Sequence, residues 1–209
     1  MATVLHVEAS PRGDSSYSTQ VARAFLAAYQ QSHAGDWVDT LSLFTDSLPV
    51  FDAPAAAAKY AILSGQLPTG PAETKWREVI ETIDHFMEAD KLVISTPMWN
   101  FAIPYRLKQY LDVIVQPGLT FKYEAGKYIG LATGRPALLV LARGGQYPAN
   151  SPTSGYDMQR PYLEMILRFM GFENIRTLVI EPTLEEGPEG AKRAADAVAA
   201  EASRLAESF

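Results

Sequence analysis

Apolar residues recur along this chain in two rhythms. Val4 to Ala9, Val38 to Leu43, Lys91 to Thr96, Ala137 to Leu141 and Arg176 to Ile180 are short apolar-leaning runs, each soon interrupted by Pro, Gly or Asp. Such runs predict strands. Between them the apolar positions spread to helical spacing: Val21, Phe25, Ala28 and Tyr29; then Trp76, Val79, Ile80, Ile83 and Met87; then Leu107, Tyr110, Leu111 and Ile114. An alanine-rich helix is predicted around Ala55 to Leu63, after irregular chain marked by Asp46, Pro49, Asp52 and Pro54. The linker Pro68 to Pro71 ends it. Pro104 suits the first turn of the helix that follows it. Further helices are expected from Gln159 to Met170, stopped by Gly171, and from Pro188 to Ala206. Gly118 to Tyr123 alternates apolar and polar residues and reads as a short extended excursion without a helix of its own.

Strands alternating with helices require a parallel sheet with right-handed crossovers. Ala137 to Leu141 is the most apolar run and fits a central strand buried on both faces. The expected architecture is α/β, a flavodoxin-like three-layer sandwich with a five-stranded parallel sheet of order 2-1-3-4-5, forming one domain over residues 1–209. In that order the chain reverses its winding between the first and third strands. The loops after strands one, three and four then meet at one carboxyl edge, where open α/β sheets bind ligands.

Composition narrows the chemistry. A chain of 209 residues, 47% hydrophobic and 20% charged, can bury the core of one globular domain. Its net charge of -6 offers no broad basic surface for a nucleic-acid backbone and opposes anionic lipid headgroups. Small-molecule partners are favoured. There is no cysteine, hence no disulfide, thiolate nucleophile or Cys-ligated metal, and redox chemistry would have to reside on a bound cofactor. No metal site is expected. No window approaches ~20 uncharged apolar residues, and the N-terminus lacks a basic flank before a long apolar stretch, so a cytoplasmic protein is expected.

Each of the three converging loops is unusual. The first, Ser10 to Thr19, gathers hydroxyls and backbone N–H groups at the start of a helix, where the helix dipole favours an anion. Ser10, Ser16 and Ser18 are the candidate donors to a phosphate monoester, although capping by Ser16 or Ser18 would also account for the composition. Arg12 would assist an anion there and Asp14 would oppose it. The second loop, Pro97-Met98-Trp99-Asn100-Phe101, offers amides and two aromatic faces to a flat ring with polar edges, such as an isoalloxazine; a packing role for Trp99 and a turn role for Asn100 are the plainer alternatives. The third, Arg143-Gly144-Gly145, would let backbone approach a ligand closely, although a lone Gly-Gly pair is more often just a turn. Neither a Walker lysine motif nor a Gly-x-Gly-x-x-Gly pattern occurs.

These segments resemble the FMN-dependent NADH:quinone oxidoreductases, also called azoreductases. The resemblance is carried by Ser10 with Ser16-Tyr17-Ser18, by Pro97 to Lys108, by Gly118-Leu119-Thr120-Phe121-Lys122-Tyr123 and by Arg143-Gly144-Gly145. It implies that Ser10, Ser16, Tyr17 and Ser18 surround the FMN phosphate and the start of the ribityl chain. It places Pro97, Met98, Trp99, Asn100 and Phe101 at the cofactor, the last four on the flavin ring. Ala142, Arg143, Gly144 and Gly145 would line the ring's other side, with backbone N–H groups stabilising negative charge near N1 and O2. Phe121 and Tyr123 would wall the substrate space together with a neighbouring subunit, since the family is homodimeric. The chain departs from the family in Trp99, where tyrosine is usual, and in Ala142, where serine is common. Glu124 to Ile129 also lacks the usual Asn-Gly-Pro composition.

The resemblance implies ping-pong transfer of two electrons from NADH or NADPH to quinones or azo compounds, with no catalytic acid–base pair supplied by the protein. His6, His33 and His85 are expected to be structural. A flavodoxin-type electron carrier is the alternative, against which the Gly118 to Tyr123 excursion counts. A response-regulator-like domain would want carboxylates where Ser10 and Thr96 stand.

Overall fold

A computed structural model of the chain describes all 209 residues. Seven strands and six α-helices follow one another as β1 (Thr3–Glu8), α1 (Tyr17–Ser32), β2 (Trp37–Ser42), α2 (Ala53–Leu63), α3 (Pro71–Glu88), β3 (Lys91–Pro97), α4 (Tyr105–Ile114), β4 (Phe121–Glu124), β5 (Lys127–Gly130), β6 (Ala137–Ala142), α5 (Arg160–Met170), β7 (Ile175–Ile180) and α6 (Gly187–Ala206). The five-stranded sheet has the order β2-β1-β3-β6-β7, and every pairing within it is parallel.

Counted along the whole chain, that order is 2-1-3-6-7 and not the expected 2-1-3-4-5. The sheet is made from the five segments read as strands, and the change comes from two strands between α4 and β6. These, β4 and β5, pair only with each other as an antiparallel hairpin. The first arm lies in the stretch read as extended. The second escapes a reading by pattern because its turn, Ala125-Gly126, puts φ at 50° and 80° in an alanine-glycine pair instead of the usual Asn-Gly.

Side-chain alternation builds the three layers. Along β6, Ala137, Leu139 and Leu141 join one buried cluster, with Leu5, Val7, Leu92 and Ile94 from the neighbouring strands and side chains of α3, α4 and α5. Leu138, Val140 and Ala142 join the other, with Val4, Val93, Val21, Phe25 and Ala202, under α1 and α6. Both faces of β6 are therefore dry, which is why its residues need no polar alternation. Each fully buried Leu or Val of this strand contributes roughly 1.5–3 kcal/mol through removal of apolar surface from water.

Local signals account for some of the helix ends. Asp52 caps α2 by accepting from Ala55 N–H at 3.2 Å, so Pro54 stands in the first turn and not in irregular chain. Pro104 immediately precedes α4 and is not in its first turn. Gly171 ends α5 with φ 109°, letting Phe172 N–H reach Leu167 O at 3.0 Å. In α3, Phe86 is buried beside Val79 and Ile83, while Trp76 and Met87 are half-buried against the core. No helix is long and apolar enough to cross a membrane.

One polar pair crosses the sheet. His6 on β1 is 1% exposed and its Nε2 lies 2.9 Å from Ser95 Oγ on β3. Burial, with the positive field of Arg23, lowers its pKa to about 4. Since the folded value is depressed below the ordinary 6.5, the unfolded chain binds more protons between those values and stability falls as pH drops through this window. Between pH 7.5 and 5.5 the loss attributable to His6 is about 1 kcal/mol. Urea unfolding of the protein and of His6→Asn at both pH values checks this: the variant is expected to lose that much less stability on acidification, and equal losses would remove His6 as the cause.

Candidate active site

At the carboxyl end of β1, Ala9 N–H donates to Ser95 O at 2.8 Å and carries the chain past Ser10, which is 3% exposed. A single 3-10 turn at Gly13–Ser15 then aims the chain into α1. Ser16 stands at the cap position, yet its hydroxyl caps nothing; it lies 3.1 Å from Ser18 Oγ, and both side chains are buried. The amides of Tyr17, Ser18 and Thr19 have no protein acceptor, Gln20 N–H being the first to bond, to Ser16 O. Thr19 Oγ1 is buried without a partner as well. Ordinary capping does not describe this helix start. It is a set of inward-held donors at the positive end of a helix dipole, the arrangement that binds a phosphate.

The second loop leaves β3 beside β6. Met98 N–H donates to Ala142 O at 2.8 Å, and Trp99 and Ala102 then exchange N–H···O bonds of 3.0 and 2.9 Å. Asn100 and Phe101 between them have φ of 48° and 69°, so the segment is a two-residue turn of the mirror-image type. Asn tolerates this conformation. Phe does so at a cost of roughly 1–2 kcal/mol, and strain of this sort gathers at functional sites. The turn sends Trp99 toward Phe44 and Tyr105, at ring separations of 5.8 and 6.4 Å, and Phe101 toward Tyr156 at 5.1 Å.

The third loop differs from expectation. Arg143 is 3% exposed and turns away from the edge: Nε donates to Gln159 Oε1 at 3.2 Å, Nη1 to Glu181 Oε2 at 3.4 Å, and Nη2 lies 2.9 Å from Asp157 Oδ2 without hydrogen-bond alignment. Its amide donates to Ile180 O, so it cannot also serve a ligand. The amides of Gly144 and Gly145 have no protein acceptor and are the available donors of this loop. A Cβ on Gly144 would come within 2.7 Å of Leu184 Cδ1, and one on Gly145 within 2.9 Å of Glu185 Oε1. The space these glycines leave is thus filled by the chain following β7.

That fourth loop is the part the sequence reading missed. Thr183 N–H donates to Arg143 O at 2.9 Å and its Oγ1 donates to the same oxygen, which locks the segment against the third loop. The signal was available in the topology, since β7 adjoins β6 and the loops leaving their carboxyl ends must be neighbours.

A cleft of about 230 Å³ opens where the loops meet, lined by Ser10, Pro11, Arg12, Ser16 and Tyr17, by Pro97, Met98 and Trp99, by Ala142 and Gly144, and by Thr183 and Leu184. Eight of the thirteen positions expected around a cofactor stand in this lining. Ser18 is sealed beneath Ser16, Asn100 and Phe101 form the exposed turn beside it, Gly145 adjoins it, and Arg143 points away. Phe121 and Tyr123 are elsewhere. They pack with Tyr128 and Phe169 near the end of α5, which runs about 16 Å from its start beside Arg143 to Met170. A larger depression of about 500 Å³ lies between residues 47–50 and α3; within it Lys75 pairs with Glu78, and at its border His85 hydrogen-bonds Asp39. No group of three or more His, Cys, Asp or Glu is placed to hold a metal ion.

The chain is similar to known proteins over its whole length. The family model described as flavodoxin-like fold matches residues 2–206. The FMN-dependent NADH:quinone oxidoreductase of Nitratidesulfovibrio vulgaris (strain DP4) is 50% identical over 211 aligned positions that cover 100% of both chains. The crystal structure of azoreductase from Bacillus anthracis str. Sterne superposes with a TM-score of 0.91 at 31% identity, over 100% of both chains. An FMN-dependent NADH-azoreductase from Bacillus anthracis str. Ames Ancestor, solved in complex with FMN, has a TM-score of 0.87 at 30% identity, covering 99% of this chain and 100% of that one.

Proposed function

The chain belongs to the FMN-dependent NADH:quinone oxidoreductases and azoreductases of the flavodoxin-like fold, and from that premise we propose that it is an FMN-dependent oxidoreductase that reduces quinones and azo compounds at the expense of NADH. The observation that carries this reading is the start of α1, where three undonated amides and the hydroxyl pair of Ser16 and Ser18 gather at one end of a cleft that Ser16 and Tyr17 line together with Pro97, Met98 and Trp99. A phosphate monoester with a flat ring attached fits that pairing of anion donors and aromatic surface. When bound, FMN supplies the redox chemistry, two-electron transfer from NAD(P)H to the acceptor with the two substrates visiting in turn.

The protein's residues hold and surround. Ser10, Ser16, Tyr17 and Ser18, with the free amides of α1, hold the phosphate; Pro97, Met98 and Trp99 give the ring apolar contact; Gly144 and Gly145 present N–H groups to its polar side and favour negative charge there. Ala142 offers no hydroxyl at its position, so backbone donors act alone. Arg143 supports this loop from behind through Asp157 and Glu181. The chain works as one FMN-binding domain over residues 1–209, in the cytoplasm. It acts as a homodimer in which half-buried Phe121 and exposed Tyr123, on a hairpin remote from their own cleft, wall the acceptor space of the partner subunit.

The test is to purify the protein, release any bound chromophore by heat and identify it by fluorescence and mass, then follow NADH oxidation with menadione as acceptor. FMN release and acceptor-dependent turnover are expected. A protein that carries no FMN and takes none up defeats the reading.

Two substitutions separate the roles of Asn100. Asn100→Gly keeps the turn, because glycine adopts φ above zero freely, and removes the amide; Asn100→Val forbids the turn, because a β-branched residue is disfavoured there. The valine variant is expected to lose roughly 1–2 kcal/mol of stability. Both should slow NADH-dependent bleaching of the bound flavin. Should the glycine variant reduce its flavin at the unaltered rate, the Asn100 amide has no part at the ring.

A further inference from the structure

Arg12 is a cation without a counterion at the mouth of the cleft. Its guanidinium makes no ion pair or hydrogen bond; only its backbone is engaged, through Ser10 Oγ at 3.4 Å and Ser15 N–H at 3.0 Å. The nearby arginines are all occupied, Arg23 by Asp14 and Glu8, Arg143 by Asp157 and Glu181, and Arg106 by the carbonyls of Leu43 and Asp46. The cleft lining contains no carboxylate, and Glu185 beside Gly145 stands outside it. In a chain of net charge -6, this leaves an uncompensated side-chain positive charge on the lining of the cleft where the four loops meet.

The cofactor phosphate does not require Arg12. That anion is served by buried, neutral donors at the start of α1, whereas Arg12 is exposed on the rim and shares the lining with Trp99, a residue 37% exposed beside Phe44 and Tyr105. A flat aromatic face next to a free guanidinium recognises a ring that bears an anionic substituent. Resting on the oxidoreductase reading above, we infer that Arg12 is a specificity-determining residue that favours acceptors carrying a sulfonate or carboxylate on their aromatic ring. An exposed charge contact of this kind is modest and salt-sensitive, so the expected preference is about fivefold.

The experiment compares the holoenzyme with Arg12→Gln and Arg12→Lys. For each, kcat/KM is measured for 1,2-naphthoquinone-4-sulfonate and for menadione, and the oxidised holoprotein is titrated with naphthalene-2-sulfonate and with 2-naphthol by following the flavin absorbance. The ratio of sulfonated to neutral acceptor should fall about fivefold in Arg12→Gln and largely return in Arg12→Lys. Added salt should erode the ratio in the unmodified enzyme and leave it flat in Arg12→Gln. The affinity for naphthalene-2-sulfonate should fall alongside, without a matching change for 2-naphthol. The assignment is overturned by an unchanged ratio, by a loss of FMN affinity that lowers both acceptors together, or by an effect confined to the reduction step with NADH, which would give Arg12 to the donor's pyrophosphate. If the unmodified enzyme reduces neither acceptor, the oxidoreductase reading falls, and the naphthalene-2-sulfonate titration still decides the role of Arg12.

Discussion

Replacing Ser18 by aspartate is expected to strip the protein of FMN, lowering its affinity at least about a hundredfold while the apoprotein stays folded. Ser18 is fully buried at the second position of α1, with its hydroxyl 3.1 Å from Ser16 Oγ. A carboxylate there accepts from the undonated amides of Tyr17, Ser18 and Thr19 and gains from the helix dipole. It therefore occupies the positive end of the helix in place of the phosphate, and it opposes a second anion at short range. Losing the charge-assisted hydrogen bonds and adding like-charge repulsion together amount to about 3 kcal/mol or more. Ser18→Ala removes one hydroxyl and is expected to weaken FMN about tenfold, in line with a single hydrogen bond to a charged group. Titration of free FMN fluorescence with each apoprotein measures both effects, and thermal unfolding of the apoproteins shows whether the fold survives. A Ser18→Asp protein that binds FMN as tightly as the original would move the phosphate away from α1.

The second large effect lies at the opposite end of the sheet. Gly130, the last residue of the hairpin, meets Gly171 at the end of α5 so closely that a Cβ on Gly130 would stand 2.2 Å from Gly171 N and 2.3 Å from Met170 C. Both are backbone atoms, and no side-chain rotation can relieve the overlap. Gly130→Ala must push the hairpin off the helix end, disturbing Ala132 N–H···O Met170 at 2.8 Å and the contact of Phe121 with Phe169. Overpacking in a well-filled contact costs roughly 1–3 kcal/mol, and a backbone-to-backbone overlap belongs at or above the top of that range. Urea unfolding should show the loss. Because the proposed dimer sets the hairpin's Phe121 and Tyr123 at the partner subunit's acceptor space, the variant is also expected to dissociate more readily in sedimentation and to lose acceptor turnover while its FMN affinity holds. A fall in FMN affinity equal to the fall in turnover would contradict the separation of hairpin and cleft within one subunit.

How much of this was legible without coordinates can be followed residue by residue. The five sheet segments announce themselves because apolar runs bounded by Pro, Gly and Asp are a local property of the chain. Leu107, Tyr110, Leu111 and Ile114 are all buried on α4, as their spacing requires. Convergence of the first three loops followed from alternating strands and helices, whose handedness leaves few topologies open. The hairpin was half seen, because Ala125-Gly126 adopts a turn that its residue types do not advertise.

Partners remote in sequence were a different matter. Arg143 and Arg12 are the same residue type in glycine-flanked loops at one edge of the sheet, and pattern alone gives no ground for treating them differently. Asp157 and Glu181 arrive from either side of α5 and β7 to claim Arg143, and nothing arrives to claim Arg12. Phe121 and Tyr123 were assigned by motif to a substrate space shared with a neighbouring subunit, and the length of α5 sets them apart from the cleft of their own subunit. The sequence by itself determined the five strands of the main sheet, the helices between them and three of the four loops that meet at its carboxyl edge, because these depend on residue type and short-range spacing. Only the tertiary structure decided which side chains in those loops are spent on the protein and which are free for a ligand, because that depends on charges and donors brought together from distant positions.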